Sequence, residues 1–190
     1  VDTLSVHSDA MNKEVQVITI CPDKAMAGEK CPVLYLLHGY GGNAGTWLGI
    51  KPELPQIADK EGIIFVCPDG KNSWYWDSPL NKEYRYETFV SKELVNYIDK
   101  NFTTKVERGG RAITGLSMGG HGSLWLSIRH KDVFGGGGSM SGGLDIRPFP
   151  NNWEMKKQLG EEASNKQRWD EHTVINQLDK IKNGDLAVII

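Results

Sequence analysis

The chain has 190 residues, enough for a single domain with a sizeable core. Its 22 Lys and Arg against 24 Asp and Glu leave a net charge of −2, without the basic footprint of a polyanion binder, so neither nucleic acid nor an acidic membrane surface is an expected partner. Apolar residues at 39% and charged residues at 24% are globular proportions, and no apolar run approaches the ~20 residues that a membrane helix needs. Glycine, with 22 of the 190 residues, is well above the usual ~7%, too frequent for a helical bundle and indicative of tight turns or close backbone approaches. Cys21, Cys31 and Cys67 are odd in number and form no CxxC pair, which points to buried free thiols rather than a zinc site or a disulfide framework.

In chain order, the short apolar patterns Leu4, Val6 and Val15, Val17, Ile18, Ile20 predict two antiparallel strands joined near Asn12, an edge hairpin. Val33 to Leu37 is a continuous apolar run, as in strands buried on both faces of a parallel sheet, and it stops at His38-Gly39-Tyr40-Gly41-Gly42. Further runs end at Cys67 and Thr114. The helical patterns before them are Leu54, Ile57, Ala58 and then Phe89, Val90, Leu94, Tyr97, Ile98, the second with Glu87 and Lys100 complementing the helix dipole. Gly135 to Ser141 reads as a strand, Val174, Leu178 and Ile181 as an amphipathic segment, and Leu186 to Ile190 as a late strand. Alternation of strand and helix without a repeat or linker predicts one α/β domain with a mainly parallel sheet, whose ligands bind beyond the carboxyl ends of the strands.

Gly115-Leu116-Ser117-Met118-Gly119 lies at such an end and opens a helix running towards His130, which fits the G-x-S-x-G nucleophile elbow. A serine on so sharp a turn sits in a strained conformation, and glycines two residues to either side remove collisions with neighbouring chain. The bare pattern is weak, but three glycines in the first helical turns, at 119, 120 and 122, each cost about 1 kcal/mol relative to Ala and make sense only in a helix packed very close to the sheet. A nucleophilic serine needs preorganised donors for the oxyanion it creates. The N–H groups of Tyr40 and Met118 are the candidates. The glycine-rich loop at 38–42 lacks the Lys-Ser/Thr of a P-loop and the spacing of a dinucleotide fingerprint, so it favours acyl chemistry over phosphate binding.

These blocks, VLYLLHGYGG at 33–42, DGKNSWYWDSP at 69–79, YETFVSKEL at 86–94, GLSMGGHG at 115–122 and FGGGGSMSG at 134–142, together resemble the esterase branch of the α/β-hydrolases. That branch includes feruloyl and acetyl-xylan esterases, tributyrin esterases, S-formylglutathione hydrolases and mycolyltransferases. The resemblance implies a three-layer α/β-hydrolase sandwich, Ser117 as nucleophile, Tyr40 and Met118 as oxyanion donors, and no cofactor. It also implies a substrate-facing loop at Ser73 to Asp77, so that Gly39, Trp74, Tyr75, Trp76 and Asp77 become candidate substrate contacts. Trp74, Tyr75 and Trp76 are equally suited to packing that loop against the body.

The histidines offer no evident base. His121 follows Ser117 by one helical turn, along the helix rather than across from the hydroxyl; His130 suits a dipole-complementing surface position; His172 lies in a polar stretch, His7 in the hairpin, and His38 beside the oxyanion loop as its hydrogen-bonding partner. In α/β-hydrolases the acid and then the histidine follow the serine late in the chain. The resemblance puts both after the strand at 186–190, and therefore implies a domain incomplete at its C-terminus, lacking a last strand and helix, and weak or inactive alone. The expected activity of the whole is hydrolysis of short acyl or hydroxycinnamoyl esters, including those of carbohydrates. Acyl transfer, thioester hydrolysis and a non-catalytic hydrolase-like binding domain are the alternatives, homo-oligomerisation stays open, and a secreted or periplasmic location is preferred to a cytoplasmic one.

Overall fold

The computed structural model describes residues 1–190. Seven strands form one sheet in the order β1-β2-β4-β3-β5-β6-β7: β1 (Asp2–Ser8), β2 (Lys13–Ile20), β3 (Val33–Leu37), β4 (Ile64–Pro68), β5 (Arg111–Leu116), β6 (Gly136–Met140) and β7 (Ala187–Ile189). β1 and β2 are the antiparallel edge hairpin, and β2 pairs antiparallel with β4. The strands from β4 through β3, β5 and β6 to β7 run parallel. Strand neighbours out of sequence order follow from crossover connections, which return the chain to the same end of the sheet before the next parallel strand begins.

Side-chain alternation divides the core into two layers. Val33, Tyr35, Leu37, Ile64, Val66 and Ile113 face one side, Leu36, Phe65 and Cys67 the other. On the second side lies α3 (Leu54–Glu61), which buries Leu54 and Ala58, with the short α2 (Thr46–Ile50) before it; the short α1 (Asp23–Met26) instead adds Ala25 to the first-side core. On the first side lie α6 (Met118–Arg129) and a rod comprising α4 (Tyr86–Thr88), a π-helical stretch (Phe89–Leu94) and α5 (Val95–Asn101). The spacing of five between Phe89 and Leu94, read in the sequence as an ordinary amphipathic helix, is one π turn, and both side chains point into the core. After β6 come α7 (Met155–Leu159), α8 (Lys166–Glu171) and a 3₁₀ stretch at Val174–Lys180. No helix is long and apolar enough to cross a membrane.

Two charged positions differ from their sequence reading. Glu87, expected to serve the helix dipole, is buried and accepts a 2.9 Å hydrogen bond from Arg129 Nε. Burial opposes its ionisation, but hydrogen bonds from His130 and Arg129 hold the carboxyl below its usual range. His130 is accordingly turned inward, 3.4 Å from Glu87 Oε2, rather than free on the surface. All three cysteines are free thiols, Cys31 and Cys67 buried and Cys21 partly so.

Candidate active site

β5 delivers the chain to Ser117 and α6 carries it away, with the turn completed at Ser117 itself (φ 56°, ψ −114°). A non-glycine residue held there stores about 1–3 kcal/mol of backbone strain, which the surroundings must over-determine. They do so by backbone contacts: Ser117 N–H donates to Met140 O on β6 (2.8 Å) and Ser117 O accepts from His121 N–H (3.0 Å). The flanking glycines are required sterically. A Cβ at Gly115 would lie 2.2 Å from Gly119 O, and one at Gly119 would lie 2.2 Å from Leu37 O. Helix α6 therefore rests directly on the backbone end of β3, as the run of glycines in its first turns predicts.

β3 ends in the loop His38 to Gly42, and a Cβ on Gly39 would lie 3.5 Å from Ser117 Cβ, so loop and elbow are in contact. His38 is 1% exposed and holds the loop from inside. Its Nδ1 lies 2.7 Å from Gly39 O and its Nε2 2.9 Å from Gly70 N. An amide can only donate, so Nε2 accepts and Nδ1–H donates to Gly39 O, which assigns the neutral Nδ1-protonated tautomer from the hydrogen-bond network. Gly39 C=O and Tyr40 N–H belong to one planar peptide unit and point oppositely, so the bond that draws the carbonyl inward turns the Tyr40 amide outward. Neither the Tyr40 amide nor the Met118 amide donates to a backbone or side-chain group of the chain. Two uncommitted amides beside one strained serine are suited to an oxygen that gains negative charge.

A cavity of about 250 Å³ opens beside Ser117, walled by Tyr40, Trp74, Ile146, Phe149, Trp153 and Met155. Of the four residues expected after β4, only Trp74 lines it, with its Nε1–H donating to Trp153 O (3.1 Å). Tyr75 and Trp76 are fully buried, and Tyr75 OH donates to His38 O (2.9 Å), bracing the 38–42 loop from behind. Asp77 points away, accepting from the Thr88 amide (2.9 Å) and hydroxyl (2.5 Å). The substrate-facing reading of Tyr75, Trp76 and Asp77 is thus corrected: positive φ at Trp74 (55°) and Tyr75 (60°) sends neighbouring side chains in different directions. The opposite wall, from Ser141 to Met155, was not recognised from the sequence. Its one legible signal was position, since aromatic Phe149 and Trp153 follow the carboxyl end of β6, where ligands of such sheets bind.

No histidine hydrogen-bonds the Ser117 hydroxyl. His7 contacts Glu14 (2.6 Å) in the hairpin, and His172 donates through Nδ1 to Arg168 O (2.7 Å) while stacking on Trp125. His121 is wholly buried among Trp74, Trp76 and Trp125, neither ring nitrogen has a hydrogen-bond partner, and burial pushes its pKa down to about 3, which keeps it neutral. No group of three or more His, Cys, Asp or Glu side chains is arranged to hold a metal ion.

Sheet order, helix placement and elbow together define an α/β-hydrolase fold. The Esterase family model, described as "Putative esterase", matches residues 8–189, and the chain belongs to that family. It is similar to an acetyl esterase of Caldicellulosiruptor saccharolyticus, 29% identical over 151 residues, which cover 75% of this chain and 56% of that protein. It is also similar to an endo-1,4-beta-xylanase/feruloyl esterase of Xylanibacter ruminicola, 34% identical over 124 residues, 60% of this chain and 17% of that protein. The chain thus spans little more than half of the first relative and a small part of the second. Among solved structures, an S-formylglutathione hydrolase from Agrobacterium tumefaciens superposes with a TM-score of 0.80 at 20% identity, covering 99% of this chain and 84% of that one.

Proposed function

We propose that this chain is the core of a serine carboxylic-ester hydrolase in which Ser117 is the nucleophile. The observation that carries the reading is the strained serine with two uncommitted amides beside it, at the mouth of an apolar cavity. Ser117 Oγ attacks the ester carbonyl carbon as its proton passes to a base, and the carbonyl oxygen, now negative, is held by the N–H groups of Tyr40 and Met118. Collapse expels the alcohol, which takes up the proton. Water then attacks the acyl-enzyme by the same route and releases the acid. None of the five histidines is placed to act as that base: His7, His38, His130 and His172 are hydrogen-bonded elsewhere and His121 is sealed among tryptophans, so the reading requires a base from outside residues 1–190.

Substrates in this reading are short acyl or hydroxycinnamoyl esters, including those of carbohydrates. A cavity of 250 Å³ walled by Trp74, Phe149 and Trp153 supports a compact or planar group over a long fatty chain. The similarity to acetyl and feruloyl esterases points the same way.

The test is Ser117→Ala in the complete protein on a short-chain aryl ester, with labelling by a fluorophosphonate. Loss of about 10⁴-fold or more in turnover and loss of labelling are expected, and a loss under about tenfold overturns the assignment of Ser117. Product analysis with a competing alcohol separates hydrolysis from acyl transfer, and a clear preference for long over short acyl chains overturns the substrate class.

A further inference from the structure

The cavity wall and the Tyr40 loop come from segments about a hundred residues or more apart, and the side chain of Asn72 bonds to both, next to a direct contact of Tyr40 with Glu154. Asn72, in the loop after β4, accepts a 2.9 Å hydrogen bond from Gly41 N–H through Oδ1 and donates a 2.9 Å hydrogen bond from Nδ2 to Glu154 Oε2. Its carboxamide is the right group for the place, because one end must accept and the other donate. Glu154 stands at the end of the 141–155 wall, its other oxygen paired with Lys157. Both Trp153 and Glu154 have left-handed backbone, at φ 51° and 58°, a conformation that persists only where neighbouring contacts hold it. The contacts that do so are Asn72 and Lys157 on Glu154, with the Tyr40 side chain beside the same carboxylate, and Trp74 Nε1–H on Trp153 O. Ile146 and Met155 anchor the segment in the core, whereas Phe149 and Trp153 between them, the outer apolar part of the wall, are half exposed.

We propose that Asn72 is a positioning residue that sets substrate size, clasping the 141–155 wall to the Tyr40 loop so that the cavity beside Ser117 admits compact groups while the clasp is closed. The size effect rests on the ester-hydrolase reading; the clasp does not. Opening it lets Phe149 and Trp153 move outward between the anchored Ile146 and Met155, enlarging the cavity, and frees the peptide that follows Tyr40. The chemistry of Ser117 stays in place, since Asn72 touches neither the serine nor the two oxyanion amides.

Asn72→Asp separates the two bonds. The aspartate still accepts from Gly41 N–H but cannot donate to Glu154, and two carboxylates then face each other. Loss of a hydrogen bond to a charged group together with like-charge contact opens such a segment on the order of tenfold more often or beyond. Combining Asn72→Asp with Glu154→Gln restores a donor and an acceptor in reversed order. The expected result, in the complete protein, is faster hydrogen exchange over 146–157 in Asn72→Asp, return towards wild type in the double variant, and a parallel rise and fall in the ratio of octanoyl to acetyl ester kcat/KM. Unchanged exchange in Asn72→Asp, or no recovery in the double variant, overturns the clasp whether or not the protein hydrolyses esters. Altered exchange with an unaltered chain-length ratio overturns the size role, and loss of turnover for Ser117→Ala tested alongside shows that the ester reading itself still stands.

Discussion

Replacing Gly119 by alanine adds one methyl group and should be among the most damaging small changes in the molecule. Its Cβ would lie 2.2 Å from Leu37 O, 2.6 Å from Leu37 C and 2.8 Å from His38 O, all backbone atoms at the point where β3 passes into the 38–42 loop. Carbon atoms prefer separations of about 3.5–4.0 Å, so α6 and β3 must part by roughly 1 Å. Overpacking of this kind costs ~1–3 kcal/mol when side chains can adjust, and here the obstacle is paired backbone on both sides, which puts the cost at or above the top of that range. Alanine recovers ~1 kcal/mol of helix propensity, leaving a net loss of about 2 kcal/mol or more. Gly49 is the matched control, a helical glycine in α2 with no atom within 4 Å of its added Cβ, where the same change should gain about 0.5–1 kcal/mol. Urea unfolding followed by tryptophan fluorescence and far-ultraviolet circular dichroism measures both. The two variants should shift the midpoint in opposite directions, and on the proposed function Gly119→Ala should also lower ester turnover in the complete protein, because parting α6 from β3 separates the Met118 and Tyr40 amides. A Gly119→Ala protein as stable as Gly49→Ala would refute the idea that backbone contact between α6 and β3 fixes the elbow.

Other consequences concern buried polar groups. His121 is pushed down to about 3 by burial, so between that value and its ordinary 6.5 the unfolded chain binds a proton that the folded chain refuses, and stability must fall as pH drops through this window. The slope from this residue is roughly 1.4 kcal/mol per pH unit. His121→Leu should flatten the pH dependence of the urea midpoint between about pH 6.5 and 4.5; curves that stay parallel to wild type would remove His121 as the cause. Arg111, 6% exposed, bonds Asp99 Oδ2 (2.7 Å), Val106 O (2.9 Å) and Val133 O (2.6 Å). Arg111→Met leaves Asp99 with only its Thr104 hydroxyl donor and two carbonyls without their guanidinium donor, and should cost about 3–5 kcal/mol in the same assay, of which the additional change Asp99→Leu should return part. Equal stability of Arg111→Met and wild type would show that the pair adds nothing.

What could be read from the sequence is what local pattern encodes. Val33 to Leu37 and Ile64 to Cys67 are apolar on both faces because both faces of their strands are covered, and the one-residue alternation already divides them between the two core layers. Ser117 was legible for a related reason: the turn that strains it is made by residues immediately beside it, and the glycines the turn needs stand at fixed offsets. Even the His121 assignment followed from a four-residue spacing, although the three tryptophans around it did not.

The tertiary structure alone decided which side chains meet across distance. Sequence order gives no strand order, and β3 comes to lie between β4 and β5 only because crossovers carry the chain back over the sheet. Trp74, Tyr75, Trp76 and Asp77 are consecutive and look alike as a substrate loop, yet an irregular backbone with two left-handed residues sends one to the cavity and three inward or away. The 141–155 wall has no period to read, and it meets Asn72 and Trp74, some eighty residues earlier, and the core through Ile146 and Met155. Periodic elements advertise their buried face because the repeat of the backbone is known in advance; an irregular segment has no such repeat, so the direction of each side chain is set by whatever the rest of the fold brings against it.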